Sequence, residues 1–297
     1  MHAPPMAMKA FSLDIHGRLR RFETPAVMGI LNVTPDSFYD GSRTPLTDRD
    51  ALRRRVDMML TEGADMIDVG GYSTRPGAAE VPVQEEIDRV MAGVETVREF
   101  DPEIPVSVDT FRAAVAKATV APGLADIVND VSGGLLDGSM FETVAALKTP
   151  YILMHMRGTP ATMQSLTDYP DGVVTGVTVE LRRALDRLDE LGVADVIIDP
   201  GFGFSKTAPQ NYELFEHLGY LGRMLGNRPL LVGISRKSMI YKPLNLTPAQ
   251  SLPGTIALNT MALERGAAIL RVHDVGAAVQ ARDVWQMMAD ANRTETC

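Results

Sequence analysis

Short apolar runs alternate along the chain with longer stretches in which apolar residues recur at helical spacing. The short runs are rich in Val, Ile, Leu and Met, and they do not alternate strictly with polar residues, which is typical of strands buried on both faces. The strands predicted on this basis are Val27–Val33, Asp65–Val69, Ile104–Val108, Asp126–Asn129, Tyr151–Met156, Asp195–Ile198, Leu230–Ile234 and Ala268–Val272.

An amphipathic stretch follows each of these runs. In the first stretch, the spacing of Leu52, Val56 and Met59 places them on one helical face. Another stretch is followed by Gly192, a residue type that commonly terminates helices. The predicted helices are Asp48–Glu62, Gln84–Phe100, Phe111–Val120, Met140–Leu147, Val173–Leu191, Asn211–Leu225, Leu252–Arg265 and Val275–Ala291.

Strands and helices that alternate in this way predict an α/β fold. Because there are eight pairs and no antiparallel signal, a single (β/α)8 TIM barrel is favoured over an open doubly wound sheet. Ahead of the first strand, Phe11–Phe22 consists of two extended pieces around His16 and Gly17, so we expect a β-hairpin that plugs the bottom of the barrel. The predicted division is an N-terminal extension, residues 1–24, and a barrel domain, residues 25–297.

Composition narrows the function classes. The 297 residues carry a net charge of −9, which does not favour a nucleic-acid or anionic-membrane partner. The single cysteine, Cys297, excludes an intrachain disulfide and a cysteine-based zinc cluster. The chain also lacks an apolar run long enough for a transmembrane helix and an N-terminal signal peptide. We therefore expect a cytoplasmic protein.

Polar residues gather just after the predicted strands, which is the active face of a TIM barrel. Helix capping would account for Asp109, but Lys237, Arg271 and His273 are poor N-caps, so we expect one shared pocket. The cationic or proton-donating members suit an anion, and the acceptor members suit a ligand with an N–H-rich edge, such as a 2-amino-4-oxo-pyrimidine. The first group is Arg75, Lys237, Arg271 and His273, and the second is Asp109, Asn129 and Asp199.

Eight segments, one for each predicted strand, then carry a family resemblance. They include GGYSTRPG at 70–77, DPGFGF at 199–204 and GISRKS at 233–238. The others are Met28–Phe38, Ser107–Thr110, Val128–Asp130, Leu153–Met156 and Arg271–Asp274. In this order they resemble the dihydropteroate synthases, the folate-pathway targets of sulfonamides.

The resemblance implies a reaction. 6-Hydroxymethyl-7,8-dihydropterin diphosphate would condense with p-aminobenzoate to give 7,8-dihydropteroate and pyrophosphate, by an SN1-like displacement assisted by Mg²⁺. It also implies an alkyl-transferring enzyme of the cytoplasm that forms a homodimer and binds sulfonamide inhibitors. The segment after Lys237 lacks the Phe-Gly insertion of resistant enzymes, so we expect ordinary sulfonamide sensitivity.

The resemblance also implies roles for individual residues. The pterin would be bound by Asp109, Asn129, Met154, Asp199, Lys237 and Arg271. Pyrophosphate would be bound by Asn32, Arg271 and His273, with Mg²⁺ near Asn32. p-Aminobenzoate would be bound by Phe38, Thr74, Arg75, Pro76, Phe204 and Ser238. Catalysis would depend on Asp109, Lys237, Arg271 and His273, together with the loop residues Asp36 and Asp40.

Alternatives remain at this point. A pterin-binding methyltransferase would use similar acceptors, and a non-catalytic homologue would bind pterin without turnover. Lys237 would be the nucleophile of a Schiff-base aldolase. His155 is interpreted as a structural residue rather than a functional one. For Lys206, a place on the pocket rim and a place outside the pocket are equally favoured. Tyr72 and Ser205 stand where many relatives have Glu and Gly, and we expect them to affect loop mobility rather than to contact the site residues named above.

Overall fold

The computed structural model describes residues 10–34, 49–73 and 80–294. The strands are β1 (Phe11–Ile15), β2 (Arg18–Phe22), β3 (Ala26–Asn32), β4 (Met66–Gly70), β5 (Val106–Asp109), β6 (Ile127–Asp130), β7 (Tyr151–Met154), β8 (Val196–Asp199), β9 (Leu231–Val232) and β10 (Ile269–Val272). The helices are α1 (Arg49–Thr61), α2 (Val83–Phe100), α3 (Ala113–Val120), α4 (Met140–Leu147), α5 (Val173–Glu190), α6 (Ala208–Glu216), α7 (Leu218–Met224), α8 (Ser238–Tyr241), α9 (Leu252–Glu264) and α10 (Val275–Thr294).

Strands β3 to β10 form one parallel eight-stranded sheet that curls into a barrel. Its two edges, β8 and β9, are joined by a parallel bridge between Ile198 and Leu230. Helices follow the strands and cover the outside, where Val90, Leu185 and Leu214 belong to the main apolar core. The predicted barrel is confirmed, and the open-sheet alternative is wrong.

The N-terminal hairpin closes the amino end of the barrel. Strands β1 and β2 pair antiparallel around His16 and Gly17, which have φ angles of 51° and 78°. Two consecutive left-handed residues form the type I′ turn that suits a two-residue hairpin loop. Side chains of the hairpin then pack against the first inward-facing residues of the barrel strands, so the predicted plug is confirmed. This cluster contains Phe11, Leu13, Phe22, Met28, Met66, Ile127, Ile152, Ile197, Leu231 and Ile269.

One predicted helix is divided in the structure. The stretch predicted as Asn211–Leu225 forms α6 and α7, which meet at His217. Helix α6 begins earlier than predicted because Thr207 and Gln210 form a capping box. Gly219 and Gly222 lower the helix propensity after the junction. The spacing of apolar residues is the same in one long helix as in two consecutive amphipathic helices, so it did not predict the break. In the part of the chain that the structure describes, no helix is long and apolar enough to cross a membrane.

Candidate active site

A cavity of about 670 Å³ opens at the carboxyl end of the barrel, within the range of small-molecule sites. Each predicted site residue that the structure describes lines it. These residues are Asn32, Asp109, Asn129, Met154, Asp199, Phe204, Lys237, Ser238, Arg271 and His273. The other predicted site residues, Asp36, Phe38, Asp40, Thr74, Arg75 and Pro76, lie outside the described residues.

The register between neighbouring strands places the hydrogen-bond acceptors at the same height along the barrel axis. Asp109 on β5 lies opposite Asn129 on β6, and Met154 on β7 lies opposite Asp199 on β8. Alternate residues of a strand point to the same side, so the inward positions of neighbouring strands form a layer. Two carboxylates and one amide therefore come together at the floor of the cavity.

Arg271 links this floor to a carboxylate below it. Its Nε donates to Asp68 Oδ2 at 2.6 Å, and its Nη2 donates to Asp109 Oδ2 at 2.6 Å. Burial opposes the charged form of the guanidinium, but the two carboxylates outweigh burial and raise the pKa of Arg271 above its usual value. The cation is thus held in place by two acidic residues before any ligand arrives.

Asp68 is a residue of the site to which sequence reasoning gave no role, although it is one of the polar residues at the strand ends. It is fully buried on β4, and its Oδ2 also accepts from Asn129 Nδ2 at 3.0 Å. This contact assigns the orientation of the Asn129 amide and leaves Oδ1 as its acceptor for a ligand. A carboxylate inside an otherwise apolar strand was the available signal, because buried charges are retained only where they are paired.

Burial moves the pKa values of Asp109 and Lys237 towards each other. It raises the pKa of Asp109 to about 7, against the lowering effect of Arg271. It lowers the pKa of Lys237 to about 8, against the raising effect of Asp199. Asp199 accepts from the Gly201 amide at 2.8 Å, and burial raises its pKa as well. Near neutral pH, proton occupancy at both Asp109 and Lys237 is sensitive to what enters the cavity.

The loop after β9 presents Lys237 from a strained position. Arg236, the residue before it, has a φ of 55°, and non-glycine residues rarely adopt this left-handed region. Its guanidinium forms two 2.8 Å bonds to Asp274 and donates to the carbonyls of Pro248 and Ala249. These contacts hold the backbone so that Lys237 and Ser238 reach the cavity.

His273 faces the cavity as a neutral donor. Burial and then the neighbouring Arg271 lower its pKa to about 3. The Ser235 hydroxyl accepts from the His273 amide at 3.1 Å and lies 3.0 Å from Nδ1. In the tautomer in which Nδ1 accepts from that hydroxyl, Nε2 carries the proton and is suited to donating to an anion.

His155 and Lys206 lie behind the cavity wall rather than in it. Both are buried, and their Nδ1 and Nζ atoms are 3.0 Å apart. Burial lowers the pKa of His155 to about 4 and that of Lys206 to about 7. The structural interpretation of His155 fits this position, whereas Lys206 does not reach the pocket rim.

Comparison with known proteins decides the family. Residues 28–273 match the sequence model of a protein family whose description is pterin binding enzyme. The dihydropteroate synthase of Escherichia coli (strain K12) is 42% identical over 273 residues, which cover 91% of this chain and 94% of that protein. This chain belongs to the dihydropteroate synthase family. A crystal structure of the Yersinia pestis family member with a sulfonamide drug is 39% identical, has a TM-score of 0.86, and covers 94% of this chain and all of that one.

Some relatives in this family are longer. Folic acid synthesis protein fol1 of Pneumocystis carinii is 39% identical over 277 residues, and the match covers 91% of this chain but only 37% of that protein.

These matches confirm the predicted family and the predicted barrel. The predicted enzyme class, a transferase, is that of the dihydropteroate synthase family. The roles of the individual site residues stay predictions.

Proposed function

We propose that this chain condenses 6-hydroxymethyl-7,8-dihydropterin diphosphate with p-aminobenzoate. The proposal rests on one observation: a single cavity contains hydrogen-bond acceptors at its floor and cationic side chains beside them. Asp109, Asn129 and Asp199 form the floor, and Arg271 and Lys237 stand beside them. A ligand that is heterocyclic at one end and anionic at the other satisfies both.

The pterin ring is proposed to lie against the acceptor floor. The N–H groups of its 2-amino-4-oxo-pyrimidine edge would donate to the carboxylates and to Asn129 Oδ1, which Asp68 leaves available. Met154, buried at the cavity wall with Val131 and Met163, offers an apolar surface for the ring face. Unpaired acceptors in a buried site reject ligands that lack matching donors, so this floor gives specificity.

The diphosphate is proposed to lie towards Asn32, Arg271 and His273. Arg271 is already paired with Asp68 and Asp109, so it alone cannot neutralise a diphosphate. No group of three His, Cys, Asp or Glu side chains in 10–34, 49–73 and 80–294 is placed to hold a metal. Asn32 offers one neutral oxygen, which fits Mg²⁺ that takes its remaining ligands from phosphate and water. When bound, the metal would neutralise charge on the leaving group.

The reaction follows from these placements. The bond between the exocyclic methylene carbon and the diphosphate oxygen breaks first, and its electron pair leaves with pyrophosphate. The Asp109 carboxylate would stabilise the resulting pterin-methyl cation, while Arg271 and His273 donate to the departing oxygens. The aniline nitrogen of p-aminobenzoate then forms the new C–N bond and releases a proton to water. No protein nucleophile is required.

The second substrate is proposed to bind against Phe204, Lys237 and Ser238. The Lys237 ammonium lies 4.7 Å from the centroid of the Phe204 ring, so an aromatic wall and a cation stand side by side. Ser238 begins the short helix α8 next to them. A sulfonamide resembles p-aminobenzoate in shape and would compete for this wall, as the drug complex of the Yersinia pestis relative suggests.

We also propose a cytoplasmic homodimer. Val284, Met287 and Met288 are exposed large apolar side chains at i, i+3 and i+4 spacing, which places them on one face of α10. A second copy would cover such a face. Sedimentation should show a dimer for the wild type and a monomer for Met287→Glu. The lone Cys297 fits a reducing compartment.

Product analysis tests the activity. Purified protein is incubated with the dihydropterin diphosphate and Mg²⁺, with and without p-aminobenzoate. We expect equal amounts of dihydropteroate and pyrophosphate when both substrates are present, and loss of product when Mg²⁺ is chelated. Pterin binding without product would contradict the proposal and favour the methyltransferase or the non-catalytic homologue. Trapping of a carbonyl substrate on Lys237 by borohydride would favour the aldolase.

A further inference from the structure

We propose that Lys206 is a positioning residue that fixes the wall against which the second substrate binds. It does so by holding the turn Gly201–Phe204 from behind. This inference rests on the proposed function, because it concerns the binding of an aromatic amine at Phe204 and Lys237.

All three ammonium donors of Lys206 have acceptors. Its Nζ donates to the carbonyl of Gly201 and to the carbonyl of Phe204, each at 3.0 Å, and lies 3.0 Å from His155 Nδ1. The two carbonyls belong to the first and last residues of the turn, so one buried cation ties both of its ends together. Lys206 is only 3% exposed, which makes loss of these bonds costly.

The turn has little freedom on either side of these bonds. Gly201 has a φ of 69°, and a Cβ atom there would lie 1.9 Å from the His155 carbonyl oxygen. At the other end, Ser205 has a φ of 51°, and its hydroxyl accepts from the Arg157 amide and donates to the Arg157 carbonyl. The Ser205 hydroxyl thus anchors this turn, which agrees with an effect of this position on loop mobility.

The front of the same turn reaches the cavity. The Phe202 carbonyl accepts from Lys237 Nζ at 2.6 Å, and the Phe204 ring lies beside that ammonium. Lys206 on the buried side and Lys237 on the cavity side therefore donate to carbonyls of one four-residue turn. If the turn shifts, the Phe204 ring that faces the second substrate shifts with it, whereas Asp109 and Asn129, which face the pterin, are held by other strands.

Charged and polar neighbours keep Lys206 oriented. His155 accepts from Lys206 at Nδ1, so its Nε2 carries the proton and donates to Glu180 Oε2 at 3.0 Å. Glu180 is also bound by the guanidinium of Arg157, with Nε to Oε1 at 3.0 Å. This chain of bonds runs from the turn to helix α5 and explains why a lysine is retained in a buried place.

Steady-state kinetics of Lys206→Met tests the proposal. Methionine keeps a similar length but cannot donate to the two carbonyls. We expect KM for p-aminobenzoate to rise at least tenfold and the dissociation constant of the dihydropterin diphosphate to rise by a clearly smaller factor, because Asp109, Asn129 and Arg271 do not contact the turn in the described part of the chain. Lys206→Gln, which retains two N–H donors, should restore part of the lost KM. Lys117→Met, at an exposed position of α3, is the matched control and should behave as wild type.

The outcomes separate this inference from the proposed function. If wild type forms no dihydropteroate, the proposed function fails, whatever Lys206 does. If wild type is active and folded Lys206→Met keeps the wild-type KM for p-aminobenzoate, the positioning role is overturned. Equal weakening of both substrates would also overturn it, because it would indicate general damage to the barrel. Should Lys206→Met not fold, the Lys206→Gln variant alone decides by the same split between the two substrates.

Discussion

The two ends of the barrel are built from the same strands and do opposite work. Strand β6 carries Ile127 in the apolar cluster at the hairpin and Asn129 in the cavity, two residues further on. Strand β8 likewise carries Ile197 and then Asp199. On each strand, the core residue and the cavity residue are thus successive inward-facing positions. TIM barrels in general have stabilising contacts at the amino end and catalytic residues at the carboxyl end.

The boundary between the ends lies at Asp68. Met66, two residues earlier on β4, packs with the hairpin cluster, whereas Asp68 holds Arg271 and Asn129. The hairpin cluster at the amino end is apolar, with the ion pairs of Asp126 to His16 and Arg98 at its margin, whereas the carboxyl end has buried charges at the floor of the cavity that must satisfy one another. Substitutions at the amino end should change stability alone, and those at the carboxyl end should change activity.

The largest effect is expected for Lys237→Met. Losing a buried, hydrogen-bonded charge that contacts a ligand costs about 2–5 kcal/mol, or roughly 30- to 4,000-fold in kcat/KM. The melting temperature should change by only a few degrees, because the ammonium already bears a burial penalty. Lys117→Met serves as the control in both assays. A fully active Lys237→Met enzyme would remove this lysine from the site.

Leu13→Ala should show the reverse. Leu13 is 1% exposed in the hairpin cluster, and truncating such a leucine lowers the free energy of unfolding by about 2–5 kcal/mol. Urea denaturation measures this loss. At a temperature where the variant stays folded, kcat/KM should match the wild type. A large loss of turnover with unchanged stability would show that the hairpin shapes the active site after all.

Asp68→Asn probes the boundary itself. The amide oxygen can still accept from Arg271 and Asn129, but the substitution removes the negative charge that pairs with the Arg271 guanidinium, so we expect about tenfold weaker pterin binding, equivalent to roughly 1.4 kcal/mol. Ser107→Ala is the matched control, since Ser107 pairs with Asp68 in the sheet and its buried hydroxyl has no hydrogen-bond partner among the described residues. Calorimetric titration should find the control unchanged and the variant weakened.

The smallest effect is a pH dependence. The Asp109 carboxylate must be ionised to accept from the pterin, so kcat/KM for the dihydropterin diphosphate should rise as pH increases through about 7. It should fall again above about 8, as Lys237 loses its proton. In Asp109→Asn the acidic limb should vanish, while the alkaline limb persists. An acidic limb of wild-type shape in that variant would assign the titration to another group.

The barrel, its hairpin and the described cavity residues could be predicted from the sequence, because each depends on a local pattern of apolar and polar residues within one strand. Apolar runs place Asp109 and Asn129 at strand ends, and parallel strands bring those ends together. The Arg271–Asp68 contact spans 203 positions, and no periodicity encodes such a partner. The contacts of Lys206 were equally hidden, since its neighbours Gly201 and His155 meet it only through the folding of a turn.

Equilibrium binding of a pterin without the diphosphate tests the division between the two ends most directly. The affinity would be measured by calorimetry for the wild type, Asp199→Asn and Leu13→Ala at a temperature where all three are folded. We predict at least tenfold weaker binding by Asp199→Asn, which alters one acceptor of the floor, and wild-type affinity for Leu13→Ala. Wild-type affinity for Asp199→Asn, or equal weakening by both changes, would contradict the account.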